Sequence, residues 1–160
     1  MAVSTDIVES YLRPRSVFRR RLADGAQEGQ ALALLMAACL LIFVAQWPGL
    51  ARKAHFDPSR PLDALMGGAL LATMFLLPLI AYGIAALSHL VARALGGRGS
   101  FSAARMALFW SLLAISPLML LQGLVSGLIG TGPALTLLGL AVAALFLMLW
   151  INALIVAEWP

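Results

Sequence analysis

The chain has 160 residues, enough for one domain; 62% of them are apolar and only 11% are charged. A soluble domain is nearer about 45–50% apolar with about a quarter charged. Eleven basic and seven acidic residues cannot cover a water-soluble globule of this size, so the composition excludes a soluble enzyme, a disordered chain, a coiled coil and a collagen. An integral membrane protein remains.

The first 29 residues are mixed and polar, carrying Asp6, Glu9, Arg13, Arg15, Arg19, Arg20, Arg21, Asp24 and Glu28. No apolar core follows a short charged start, so this segment does not read as a cleavable signal peptide, and no lipidation motif is seen. Ile7, Tyr11, Phe18 and Leu22 fall near one helical face, with arginines around it. This pattern predicts an amphipathic surface helix over residues 1–25 that Pro14 breaks or restarts. Asp6 with Glu9, and Asp24 with Gln27, have capping-box spacing. Arg15, Arg19, Arg20 and Arg21 are the expected contacts to anionic lipid headgroups.

Three charge-free stretches follow, over 29–51, 64–92 and 106–157. About 20 helical residues cross the hydrocarbon core, so the first two are one span each and the third is two. Gly130-Thr131-Gly132-Pro133 is the turn that divides it. The predicted fold is all-α: a polytopic membrane helical bundle over 26–160 with four transmembrane helices near 29–48, 62–95, 103–129 and 133–157. The second is longer than a perpendicular span needs, so it tilts, kinks at Pro78 or runs on into the headgroups. Pro117 is expected to kink the third.

With four spans, the N-terminus, the 93–105 loop and the C-terminus share one side of the membrane. That side holds eight Arg, and the other holds Arg52, Lys53 and Arg60. The positive-inside rule then places both termini in the cytoplasm. Ten of the 11 basic residues are Arg, and Ala, Leu and Gly are heavily used. That composition points to a GC-rich bacterial genome, hence to the inner membrane. The net charge of +4 is read as topology and headgroup contact, not as nucleic-acid binding.

Few residues suggest chemistry. His89 and Arg93 lie four apart near one end of the second span, where an ionisable residue is a functional candidate by default. An interfacial role is the plainer reading, with Arg93 snorkelling. The only other histidine, His55, falls in a loop on the opposite side, which argues against haem between two histidines. Asp63 and Glu158 flank spans and read as helix-end residues. No metal spacing, catalytic triad or buried charge pair is expected, so no cofactor and no small-molecule substrate is assigned. Gly123 and Gly127 form a GxxxG pattern, and Gly67, Gly68, Ala72 and Gly83 offer a second small-residue surface. These are the candidates for helix packing or an interface. Gln46, Ser111, Ser116, Gln122 and Asn152 are expected to bond between helices, and Cys39 to be an inert buried thiol.

The run from Leu87 through His89, Arg93, Gly96, Gly97, Gly99 and Phe101, then Ala104-Arg105 to Phe109-Trp110-Ser111 and Pro117, resembles bacterial members of the YIP-domain family of Rab-interacting multi-pass membrane proteins. The layout is similar over about 26–157, and the local motif covers 87–117. The family often has five spans, one more than counted here. The Rab role does not carry over to a bacterium. The resemblance implies a compact helical membrane protein without a known catalytic centre, working through lateral contacts or lipids. It also implies that Gly96, Gly97, Gly99, Phe101 and Arg105 form a tight cytoplasmic turn. The functional expectation is a non-enzymatic scaffold or accessory subunit whose partners are membrane lipids and other membrane proteins or a second copy. The alternative is a small transporter or channel.

Overall fold

The computed structural model describes residues 3–25 and 28–159. Two short helices, α1 (Val3–Leu12) and α2 (Pro14–Ala23), precede α3 (Glu28–Phe56). Next come α4 (Leu62–Leu71), one π-helical turn (Ala72–Leu76), α5 (Leu77–Ala94), α6 (Phe101–Leu128) and α7 (Pro133–Glu158). Four helical stretches are long and apolar enough to cross a membrane: Glu28–Phe56, Leu62–Ala94, Phe101–Leu128 and Pro133–Glu158. The protein is thus an all-α membrane protein with four candidate spans, as the charge-free stretches predict. The 95–100 turn and Trp159 lie at one end of the bundle, called here the termini end, and the α1–α2 pair packs along α6 as far as Ala114. The 57–61 and 129–132 connections form the opposite, loop end.

The first span does not stop near residue 48 but runs through Pro48 to Phe56. A proline inside a helix loses one backbone hydrogen bond, yet here its ring packs on α6 where Gly127 leaves room; a Cβ on Gly127 would run into Pro48. Past Pro48, Arg52 donates to the carbonyls of Gly127 and Leu128 at 3.3 Å each. A cation there offsets the negative end of the α6 dipole. His55 is therefore on a helix and not in a loop.

The second span is 33 residues long, about 50 Å at 1.5 Å per residue and well beyond a hydrocarbon core of about 30 Å. It hides no fifth helix among the described residues. Its irregularity is the π turn just before Pro78. A proline ring clashes with the carbonyl four residues back; the wider turn, closed by Leu77 N–H to the Ala72 carbonyl, relieves the crowding. The buried Thr73 hydroxyl donates to the Ala69 carbonyl at 2.7 Å.

The centre of the bundle is α6, flanked by α3 and α7. Half of its most apolar window is buried, against 17% for the second span, which lies at the edge. Glycines set the α3–α6 separation: a Cβ on Gly123 would collide with the Ala45 carbonyl. Leu35, Cys39, Met106 and Phe109 fill the core farther along the same two helices, toward the termini end. Pro117 sits within an unbroken α6. Two backbone carbonyls just before it find side-chain donors: Ser116 Oγ bonds the Leu113 carbonyl at 2.7 Å, and the Tyr11 hydroxyl bonds that of Ala114.

The amphipathic N-terminal segment is a helical hairpin and not one surface helix. Pro14 starts α2 after Arg13. Arg21 pairs with Asp6 and Arg20 with Glu9, each at 2.6 Å, closing the two helices on each other. Asp6 therefore lies within the first turn of α1 and pairs with arginine instead of capping; the Asp24–Gln27 box lies outside the described residues at Gln27. Val17 and Phe18 are fully buried against the bundle. Trp110 Nε1 donates to Ser10 Oγ at 3.2 Å, and the Arg21 guanidinium stacks over the Trp110 ring at 3.7 Å.

Gly123→Ala is expected to lower stability in detergent by about 2 kcal/mol or more, since backbone must move to admit the methyl group. Gly68→Ala, where nothing lies within 4 Å, should be neutral or stabilising by up to about 1 kcal/mol, because alanine is the better helix former. Thermal unfolding of the two variants checks both.

Candidate functional site: a buried histidine–glutamate pair under a glycine turn

The second span ends in a turn that its sequence dictates. Gly96 takes φ +89°, a conformation that disfavours side chains. Its N–H donates to the Arg93 carbonyl at 3.1 Å, and the Gly97 N–H to that of Ala92 at 2.8 Å. This pair of bonds is a Schellman helix stop. Ser100 then caps α6, its hydroxyl accepting from Ala103 N–H at 3.2 Å. Phe101, the first residue of α6, lays its ring 4.2 Å from that of His89.

Under this turn lies the last residue of α7. His89 Nδ1 donates to Glu158 Oε1 at 2.7 Å, with His89 3% and Glu158 0% exposed. The Arg98 N–H donates to the Glu158 carbonyl at 2.7 Å. A carboxylate at a helix C-terminus faces the negative end of the dipole, and burial adds the cost of desolvation. The His89 bond is what offsets both. Glu158 Oε2 has no hydrogen-bond partner among the described residues. It lies beneath the turn, where a Cβ on Gly97 would come within 3.2 Å of it and one on Gly99 within 2.8 Å. Three elements, α5, the turn and α7, therefore meet at a single hydrogen-bonded pair.

The sequence pointed to His89 and to the turn but not to Glu158. Glu158 is no solvated helix-end residue: it is buried and hydrogen-bonded to His89, an ionisable pair where no buried pair was expected. The available signal was slight: Glu158 is a lone carboxylate at the end of a 52-residue charge-free stretch, on the side of the membrane that holds His89. Arg93, one turn beyond His89, is exposed and takes no part in the pair. Arg105 stands apart from the turn, ion-paired with Glu28 at the start of α3, its guanidinium 5.8 Å from the Tyr82 ring.

The other sequence candidates fall elsewhere. Gly123 and Gly127 are occupied by α3 within the chain, whereas Gly67, Gly68 and Gly83 have open space where a side chain would be. Of the four arginines expected at headgroups, Arg20 and Arg21 pair within the hairpin and Arg15 Nε donates to Asn152 Oδ1 at 2.7 Å. Arg19 is exposed. The expected bonds between spans are replaced by local ones at four of the five residues, Gln122 being the exception. Ser111, Ser116, Gln46 and Asn152 each donate to a carbonyl three or four residues back on their own helix. Backbone carbonyls one turn away are simply the nearest acceptors.

Gly99→Ala is expected to cost about 2–3 kcal/mol, because its Cβ would meet the α7 backbone at Ala157 and Glu158 as well as the carboxylate. Gly132→Ala, in open space at the other end, should change stability by less than about 0.5 kcal/mol. Thermal melts followed by tryptophan fluorescence would separate the two.

No curated protein and no solved structure matches this chain. A family model does, over residues 8–159, from the first helix to beyond Glu158. It is that of the Yip1 domain, and a match over nearly the whole length shows that the chain belongs to the Yip1-domain family of membrane proteins.

Proposed function

We propose that this Yip1-domain protein is a non-enzymatic scaffold or accessory subunit of a bacterial inner membrane, with both termini in the cytoplasm. In this reading it holds another membrane protein, or a second copy, against the outward face of its second span. The observation that carries it is the contrast between the two glycine sets. Gly123 and Gly127 are used up inside the chain, while Gly67, Gly68 and Gly83 stand open on the least buried span. Small residues on an outward membrane face let a neighbouring helix approach closely, gaining dispersion contacts and backbone proximity. The orientation rests on the eight arginines of the termini end against three basic residues at the loop end. In this reading α1 and α2 form a hairpin on the cytoplasmic side, clasped to the transmembrane bundle. The His89–Glu158 pair serves in this reading as a strut, since it is closed off beneath the turn.

That same pair favours a second reading, a small proton-coupled transporter, because intramembrane ionisable groups mark proton relays. His89→Ala that folds yet loses proton-coupled flux in liposomes would select it.

The scaffold reading is tested by tag pull-down from native membranes in mild detergent. A stoichiometric membrane partner is expected with the parent chain, and its loss with Gly67→Leu/Gly68→Leu. A parent chain that comes down alone, or a complex unchanged by the double substitution, would overturn it.

A further inference from the structure

A groove of about 300 Å³ opens between α3, α6 and α7 toward the loop end, away from the His89–Glu158 pair. Its walls are apolar at Ile42 and Leu135, but four polar side chains converge on it: Gln46, Lys53, Gln122 and Ser126. Gln122 and Ser126 donate no hydrogen bond to any described residue, and Gln46 makes only a long one, 3.4 Å, to its own helix at Ile42. Uncharged polar groups facing hydrocarbon without partners are costly. Three of them around one opening, with one cation at its rim, call for a ligand that supplies acceptors.

Depth identifies the ligand class. Lys53 is three residues from the end of α3 at Phe56 and Gln46 ten; on α6, Ser126 lies level with Gly49, and Gln122, next to Gly123, lies level with Ala45. At 1.5 Å per residue Lys53, Ser126 and the two amides lie about 5, 10 and 15 Å below the loop end of α3. The α3 helix of 29 residues is about 44 Å long, close to a bilayer with its headgroup regions included. Lys53 therefore stands at phosphate level, Ser126 near the glycerol esters, and Gln46 and Gln122 at the start of the acyl chains. A volume at the lower end of the roughly 300–1,000 Å³ range of ligand sites suits a headgroup and glycerol backbone, with the chains leaving along Ile42 and Leu135. No acidic residue lines the groove.

We propose that this groove is a specific site for one phospholipid of the loop-end leaflet. Lys53 meets the phosphate, and Ser126, Gln46 and Gln122 donate to the ester oxygens below it. The neighbouring Arg52 does not compete, because it is turned to the α6 carbonyls on the other side of α3. Gly49 keeps the site open: a Cβ there would lie 2.7 Å from Ser126 Oγ and close the groove floor.

The test is native mass spectrometry of the full chain in detergent, titrated with phosphatidylglycerol and, separately, with a diacylglycerol of the same chains. One phosphatidylglycerol per chain is expected at low lipid excess, with no retention of the diacylglycerol. Lys53→Gln, an exposed position, should weaken retention about fivefold, the effect of one cation at an anionic surface. Gln122→Leu should weaken it further while the thermal melt stays that of the parent. Equal retention of the two lipids, or retention unchanged in both variants, would overturn the proposal. Displacement of the lipid by inorganic phosphate would do so too, marking a site for a free anion.

Discussion

Hydrocarbon offers no water to a polar group, so each one placed in a membrane protein must find its partner in the chain or in the lipid. Nowhere is this sharper than at Glu158, a carboxylate buried at the wrong end of a helix dipole. The termini end of the molecule is organised around it. His89 supplies the hydrogen bond, the Schellman stop brings Gly97 and Gly99 over the carboxylate, and Phe101 closes against the imidazole. One contact thus joins the end of the second span, the start of α6 and the end of α7.

Glycine divides the rest of the architecture. At the α3–α6 crossing its missing side chain lets backbone meet backbone, and at the turn it makes room for a carboxylate. On the second span it leaves open surface. A membrane bundle cannot rely on the hydrophobic effect to hold helices together, since lipid tails are as apolar as leucine. Close packing, carbonyls tied by side chains near each proline and the ion-paired hairpin wedged on α6 and α7 take its place. The match to the Yip1-domain family runs through all of these parts.

Much of this was legible in the sequence, and for definite reasons. Charge-free runs give span number because charge is expelled from hydrocarbon. The turn at Gly96, Gly97 and Gly99 was expected through the family resemblance, and the helix stop that makes it is a local device. His89 stood out as an ionisable residue within a span. The features that were missed are long-range. Glu158 looks like any helix-end carboxylate until folding brings α7 to α5, 69 residues away in the chain. The passage of α3 through Pro48 depends on Gly127 in another helix. The N-terminal hairpin depends on pairing Asp6 and Glu9 with arginines beyond a proline. Gln46 and Gln122 of the loop-end groove were expected to bond between helices, because residue type alone does not tell which way an amide turns.

The central claim, that His89 and Glu158 act as one unit joining α5 to α7, is tested most directly by a double-mutant cycle on thermal stability with His89→Leu, Glu158→Leu and the double variant. Loss of either partner strands the other and should cost about 3–5 kcal/mol, whereas the double variant removes both polar groups and should be destabilised by far less than the sum. Losses that add to within about 0.5 kcal/mol would show that the two side chains do not depend on each other and would contradict the account.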